Sequence, residues 1–382
     1  MKRNNNIHLA SPDTCTGCSA CASICPTKSI TMIEDKEGFL QPHIDADSCI
    51  KCHKCEKTCP IITPIKIPTD FNTQAYAAIN KDEEVRMKSS SGGMFHALAK
   101  WTIEQGGVVF GARFNEQWEV VHDFTETIEG IEPFMRSKYV QSCIGDTFKQ
   151  AKQFLDQGRQ VLFVGTPCQI GGLKAYLRKE YDNLLVVDFI CHGVPSPKVW
   201  REYIVGVGMK DEIQDINFRD KHNGWKNFEL SITIGTTKMY GTQRGDVYMK
   251  GFLNNIYLRR GCYNCQFKNI HRISDLTIAD FWGIENICPE IDDDRGLSAI
   301  FVHTNKGQKA INLLQTHIQI WSQKIHDVTA RNSAMTRSVP LSSKRNRFYF
   351  YKHFFSFRHL EFTEDKDWLW VRIARKIEKI LC

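Results

Sequence analysis

Nowhere in this chain do apolar residues approach the roughly 18 in succession that a membrane-spanning helix needs, and the opening MKRNNNIHLASPDTC has no apolar core of the kind a secretory leader carries. The expected location is therefore a reducing cytoplasm. Low-complexity tracts and a solenoid period are also missing, which excludes fibrous and repeat architectures. A strong charge excess is missing too. The formal charge is +7, and the segment Leu341 to Cys382 alone holds ten Lys/Arg against five Asp/Glu. The remainder is close to neutral, so no broad nucleic-acid-binding stripe is expected. Cysteine is not scarce, but most of the chain has little of it: eight of the 15 lie between Cys15 and Cys59. A disulfide framework spreads its bridges over the fold, so this crowding points to a local metal function.

At 382 residues the chain is too long for one small metal module. Residues 11–60 read as two similar halves, each a cysteine cluster closing on Cys-Pro, with short strand candidates at Ile30–Ile33 and Phe39–Ile44. Pro60, Pro64 and Pro68 then suit an extended linker. Beyond it, Ala75–Ile79, Val108–Phe114, Val161–Val164 and Leu184–Ile190 alternate with helical patterns over Met94–Gln105, Asp146–Gln157 and Ile170–Arg178, and Ile213–Arg219 and Phe228–Ile234 suggest antiparallel additions. The expected architecture is an α+β ferredoxin-like module (1–62), a linker (63–73) and a larger α/β domain with a mixed, mostly parallel sheet (74–340, dividing near 155). A basic aromatic tail (341–382) follows. In it Trp368, Val371, Ala374 and Ile377 recur at helical spacing, a candidate amphipathic helix for packing, membrane-surface or partner contact.

The two clusters, Cys15-x2-Cys18-x2-Cys21-x3-Cys25-Pro26 and Cys49-x2-Cys52-x2-Cys55-x3-Cys59-Pro60, follow the spacing of bacterial two-cluster ferredoxins. Three close thiolates wrap one cube, and the backbone then turns away and sends the fourth to the other. Cys15, Cys18, Cys21 and Cys59 are thus expected to hold one 4Fe-4S cluster, and Cys25, Cys49, Cys52 and Cys55 a second. Four-cysteine zinc sites favour two separated CxxC knuckles per metal, which is not this pattern. Further on, Cys262-x2-Cys265 is by itself a redox pair, half a metal site or two core thiols. Cys168 and Cys191 end strand-like runs, where open α/β sheets bind ligands, so four cysteines either converge on a third cluster or remain inert core thiols. Cys143, Cys288 and Cys382 have no such context.

Two loops have the small residues that let backbone N–H groups approach a phosphate: Ser89 to Gly93 before a helical pattern, and Gly165–Thr166 at a strand exit. The first is equally a helix cap. Together they make a dinucleotide or flavin site plausible. Candidate proton donors near strand ends are His192, Lys138, Lys221 and Asp280, each with an ordinary structural alternative, capping a turn or standing in solvent. Trp225 and Trp282 either shield a flavin face or simply pack.

The ordered run SSSGGMFHALAKWTIEQGGVVFGARF, SKYVQS, VLFVGTPCQIGGLKAYL, VDFICHGVPSP, FRDKHNGW, LRRGCYNCQFK and DLTIADFWGI resembles the coenzyme F-420 hydrogenase/dehydrogenase beta-subunit family over about residues 74–304. That resemblance implies a reductase domain holding FAD, often with its own 4Fe-4S cluster. It implies FAD contacts at Ser91, Gly92, Gly93, Lys138, Tyr139, Thr166, Pro167, Cys168 and Gln169, and a third cluster on Cys168, Cys191, Cys262 and Cys265. The expected function is an FAD-dependent iron-sulfur oxidoreductase that exchanges single electrons for pairs. Its external donor or acceptor would be a ferredoxin, a deazaflavin or a partner subunit. A non-catalytic electron-transfer subunit is the alternative, and a zinc-bearing scaffold a third reading.

Overall fold

The computed structural model describes residues 7–67, 70–207 and 212–352. The N-terminal module contains α1 (Ala20–Ile24), a hairpin of β1 (Ile30–Glu34) and β2 (Leu40–Ile44), and α2 (Lys54–Thr58). The body opens with β3 (Gln74–Asn80), α3 (Glu83–Lys88), α4 (Met94–Glu104), β4 (Val108–Phe114) and β5 (Val120–Thr125). It continues through α5 (Thr147–Asp156), β6 (Val161–Val164), α6 (Pro167–Leu177), β7 (Leu184–Phe189) and α7 (Pro197–Val207). Then come β8 (Ile213–Asp220), β9 (Glu229–Ile234), β10 (Thr237–Thr242), α8 (Val247–Leu253) and β11 (Leu276–Asp280). The last elements are β12 (Ser298–Val302), α9 (Asn305–Leu313), β13 (Ile318–Gln323), α10 (Ile325–Ala330) and α11 (Arg345–Lys352).

One sheet runs in the order β13-β3-β12-β11-β7-β6-β4-β5, and β10-β9-β8 form a smaller antiparallel sheet. In the large sheet β4, β6, β7 and β11 pair in parallel. The flanking pairs β4–β5, β11–β12, β12–β3 and β3–β13 are antiparallel. The sheet is therefore mixed with a parallel centre, which corrects the expectation of a mostly parallel one. The physical reason is burial. VLFV in β6 is covered on both faces and reads as an unbroken apolar run, as central parallel strands do. Of the flanking strands, β3 was expected, whereas β5 and β13 mix polar and apolar residues.

Alternate residues of the central strands feed two cores. Val109, Leu162, Val164, Leu185 and Val187 pack against Leu98 of α4 and Ile311 of α9. Val108, Phe110, Val161, Phe163 and Val186 pack on the other face against Phe148 of α5 and Leu173 of α6. Helix α6 begins at Pro167 rather than Ile170, because Thr166 and Gln169 form a reciprocal capping box with proline in the first turn.

The module is fastened to the body. Cys18 and Ala20 join the core under α5 and α6. A Cβ on Gly172 would stand 2.9 Å from the Cys18 Cβ, so α6 needs glycine where the module sits on it. Buried Glu37 in the hairpin turn accepts from Arg345 of α11 and, at 3.0 Å, from Arg260. Ile65 and Ile67, in the stretch expected to be a free linker, pack against the core. Arg345 and Phe348, expected in a separate tail, are buried in the body. The candidate amphipathic helix around Trp368 to Ile377, Pro68 of the linker and Cys382 lie outside the described residues. No described helix is long and apolar enough to cross a membrane.

Candidate functional site

Twelve cysteines line three small cavities in sets of four. Cys15, Cys18, Cys21 and Cys59 share one. Cys25, Cys49, Cys52 and Cys55 share the second. Cys168, Cys191, Cys262 and Cys265 share the third. The backbone explains the crossing of the first two sets. Gly17 and Ser19 adopt left-handed φ of 69° and 62°, and Lys51 and His53 repeat this at 53° and 56°, so each loop curls its thiols inward. The caps Cys25 and Cys59 are extended, which carries each away from its own loop. A lone zinc would draw four sulfurs to about 2.3 Å from one point. Among the described residues no three His, Cys, Asp or Glu side chains are placed to hold a single ion; the sulfurs stand apart around a void.

Burial pushes the Cys18 and Cys55 thiols up to about 11, and those of Cys191 and Cys262 up to about 12, with neighbouring sulfurs adding to the effect. Burial therefore favours the neutral thiols, and any metal held there would have to displace their protons. Between the first and third cavities lies Arg259, 1 % exposed. It donates from Nε to the Cys15 carbonyl, from Nη1 to Gln141 Oε1 (3.1 Å) and from Nη2 to the Leu40 carbonyl (2.9 Å). Arg259 and Thr16 line the third cavity, and Thr16 lines the first as well.

A cavity of about 700 Å³ opens at the carboxyl ends of the parallel strands, where α/β sheets bind ligands. Strand β6 delivers Gly165 and Thr166, β7 delivers Phe189 to Cys191, and β11 delivers Ile278 to Asp280. Ser89, Ser90, Ser91, Gly93 and Met94 bring the first turn of α4 to its wall. The segment Cys191, His192, Gly193 and Val194 lines this cavity on one side and the third cysteine cavity on the other.

The residues expected at a flavin divide accordingly. Ser91, Gly93, Lys138, Tyr139, Thr166 and Gln169 line the large cavity, whereas Pro167 and Cys168 line the cysteine cavity beside it. Gly92 lines neither. Its N–H donates to Ser298 Oγ (3.0 Å), and a Cβ there would stand 2.4 Å from the Ala78 carbonyl, so glycine is needed for packing.

Of the candidate proton donors, His192 lies in the shared wall, with Nε2 2.6 Å from Asn255 Oδ1 and burial lowering its pKa. Asp280 is at the wall but is held by Arg219 (2.7 and 3.0 Å) and by Trp225 Nε1 (3.1 Å). Lys138 also reaches the wall, yet its Nζ donates to the carbonyls of Pro133, Met135 and Arg136. Lys221 is outside the cavity. Its Nζ donates to the carbonyls of Arg86, Ser91 and Arg295 and so pins the Ser89–Gly93 loop. Trp225 and Trp282 stack at 4.6 Å, and Trp282 faces the cavity.

A buried network behind Thr166 escapes sequence reading. His122 Nε2 stands 3.1 Å from the Val164 carbonyl, which can only accept, so Nε2 carries the proton and Nδ1 accepts from Ser142 Oγ (2.9 Å). Gln169 Nε2 donates to the same hydroxyl (2.9 Å), and its Oε1 accepts from the Thr166 N–H (2.9 Å). Thr166 Oγ1 is in turn 3.1 Å from Cys168 Sγ. Burial pushes the His122 pKa down to about 4. Arg219, sandwiched by its ion pair and the Phe228 ring at 3.8 Å, is the other unanticipated wall residue.

The chain is 26 % identical over 323 residues to the coenzyme F420-dependent sulfite reductase of Methanocaldococcus jannaschii, a match covering 79 % of this chain and 46 % of that one. An uncharacterized polyferredoxin-like protein of the same organism is 32 % identical over 59 residues, covering 13 % of this chain and 35 % of its own. The chain thus spans about half, or less, of the length of these curated relatives. Among solved structures, a chain of the F420-reducing NiFe hydrogenase complex from Methanosarcina barkeri superposes with a TM-score of 0.48 at 14 % identity, covering 71 % of this chain and 90 % of that one. Residues 14–61 match the 4Fe-4S dicluster domain and residues 158–328 the C terminus of the coenzyme F420 hydrogenase/dehydrogenase beta subunit. The chain therefore joins a segment that matches the 4Fe-4S dicluster domain to a region that matches the C terminus of the coenzyme F420 hydrogenase/dehydrogenase beta subunit.

Proposed function

We propose that this chain is an FAD-dependent iron-sulfur oxidoreductase. On this reading Cys15, Cys18, Cys21 and Cys59 hold one 4Fe-4S cube and Cys25, Cys49, Cys52 and Cys55 another. Cys168, Cys191, Cys262 and Cys265 hold a third, and FAD occupies the 700 Å³ cavity. The observation that carries the reading is the wall from Cys191 to Val194, which belongs to both the third cysteine cavity and the large one. A bound flavin supplies the exchange between single electrons and electron pairs. The remaining work falls to the chain. The cavity volume lies within the usual range for cofactor sites, about 300–1,000 Å³. The first turn of α4 presents backbone N–H groups suited to a phosphate. Ser90 Oγ accepts from the Ser137 N–H (2.8 Å), which ties that turn to the loop bearing Lys138 and Tyr139. His192 is the group best placed to hold or release a proton, since Lys138, Lys221 and Asp280 are committed to carbonyls or to Arg219. The two-electron partner is a deazaflavin or another organic molecule. A cavity of this size with convergent polar groups favours this reading over a carrier that binds no organic ligand.

Anaerobic purification followed by iron, sulfide, zinc and flavin assay tests it. Three cubes correspond to about twelve irons, together with FAD; zinc without sulfide, or iron without flavin, would overturn the proposal. Cys262→Ser is expected to retain about eight irons, those of the N-terminal pair. Unchanged iron in that variant would reject the third site. Reoxidation of the reduced protein by deazaflavin, NAD(P)⁺ or organic candidates then identifies the acceptor.

A further inference from the structure

The two cysteine loops share a backbone but not a surface. Residues 15–25 and 49–59 superimpose position by position in sequence, with the same left-handed pair at the third and fifth residues and the same extended fourth cysteine. The first copy, CTGCSACASIC, has no charged residue, and Cys18 and Ala20 are buried against the body. In the second copy, CIKCHKCEKTC, Gly17 is replaced by Lys51, Ala20 by Lys54 and Ser23 by Lys57. All three lysines are exposed, as are Cys52 and Lys28 nearby, and Ile50 between them is 63 % exposed. Ile50 and Lys54 line the cavity of the second cysteine set.

Lys51 is the informative residue. Its φ of 53° is one that glycine adopts freely and a branched-off side chain resists. At the equivalent Gly17 a Cβ would stand 2.6 Å from Arg259 Nη1, so the body demands glycine there. No such neighbour constrains Lys51, and yet the conformationally easy residue is not used. Lys28, Lys51, Lys54 and Lys57 have no ion-pair partner among the described residues. The acidic residues beside them in sequence are Glu56, which is held by His53 Nδ1 and the His8 N–H, Asp45, which accepts from Ser48, and Asp47 on the turn before Cys49.

Resting on the proposed function, we infer that this face, with Ile50 at its centre and Lys28, Lys51, Lys54 and Lys57 around it, docks an acidic one-electron carrier protein. In each encounter one electron moves between the carrier's centre and the cube held by Cys25, Cys49, Cys52 and Cys55. One partner is oxidised, the other reduced, no bond changes, and two encounters supply a pair. The lysines steer the acidic carrier, a long-range effect that salt screens. Ile50 provides the desolvated contact.

The probe is an acidic bacterial two-cluster ferredoxin, mixed with the full anaerobic protein in stopped flow at low and high ionic strength. In parallel, binding is measured by calorimetry, which does not depend on electron transfer. The second-order rate is expected to fall about tenfold or more with salt. The double variant Lys51→Glu/Lys54→Glu is expected to lose about tenfold in rate and affinity at low salt and each single variant part of that, while Lys309→Glu on the surface of α9, which carries the same charge change as either single variant, loses none. Because charge reversal risks cluster assembly, Lys51→Gly is the second variant. It should slow the carrier while raising the melting temperature by a few degrees, since it relieves the left-handed φ. Salt-independent exchange and binding, or Lys51 and Lys54 variants indistinguishable from Lys309→Glu, would overturn the docking surface. Dithionite reduction of the bound flavin in that same sample would leave the proposed function standing.

Discussion

His122 is buried with both ring nitrogens engaged, and the Val164 carbonyl leaves it no way to accept a second proton without turning the Ser142 hydroxyl away. Its folded pKa is down at about 4, against about 6.5 in an unfolded chain. Between those values the unfolded state binds a proton that the folded state refuses, so stability falls as pH drops through the window. The slope is at most about 1.4 kcal/mol per pH unit. Denaturant unfolding from pH 7 to 4.5 should show this, and His122→Gln should lose one proton's worth of slope. His303, held down to about 3 by burial, retains its own share in both proteins. Equal slopes would refute the assignment. None of this was legible beforehand, because nothing in VVHDFT sets its histidine apart and the segment was not read as a strand. The same limit applies to Lys221: its residue type suggested chemistry, and only the three carbonyls around its Nζ show a clamp.

At the scale of elements, the β1–β2 hairpin meets α11 through Glu37 and Arg345, 6 % and 3 % exposed at their side chains and more than 300 positions apart. Arg345 also donates to the carbonyls of Ile256 and Leu258. Glu37→Gln leaves that guanidinium buried without its counter-charge, which typically costs about 3–5 kcal/mol; a lowered urea midpoint measures it, and an unchanged midpoint would show that the Ile256 and Leu258 carbonyls hold Arg345 without the ion pair. Sequence predicted most strands of the parallel centre to within a residue or two, since strands covered on both faces announce themselves as apolar runs. It missed β5, β10 and β13, which mix polar and apolar residues, and also β11 and β12, although SAIFV in β12 is buried throughout. It also placed the start of α6 too late, although the capping residues Thr166-Pro167-Cys168-Gln169 were in plain view.

At the scale of the whole molecule, the first cysteine cavity, the third and the large cavity lie in series, linked by Thr16 and Arg259 at one junction and by Cys191 to Val194 at the next, and the second cysteine set is tied to the first by the crossing of Cys25 and Cys59. A series arrangement has a testable asymmetry. On the proposed function, Cys52→Ser, which removes the exposed thiol of the second set, should disconnect a one-electron carrier while leaving the proposed flavin reducible by a two-electron donor such as reduced deazaflavin. Comparable loss with both donors, measured by flavin absorbance, would contradict the order. The grouping of the eight N-terminal cysteines into two crossed sets was legible in sequence alone, because their spacing is local and each loop needs only its own backbone to curl. The convergence of Cys168, Cys191, Cys262 and Cys265 was decided by tertiary structure. Nearly a hundred residues separate the first from the last, and only the parallel register of β6 and β7 with the return of the chain after α8 brings them to one void. The difference between the two loops was likewise decided by packing: identical in spacing, the first turns Cys18 and Ala20 onto the body, whereas the second rests on it through Thr58 and turns Lys51, Lys54 and Lys57 to solvent.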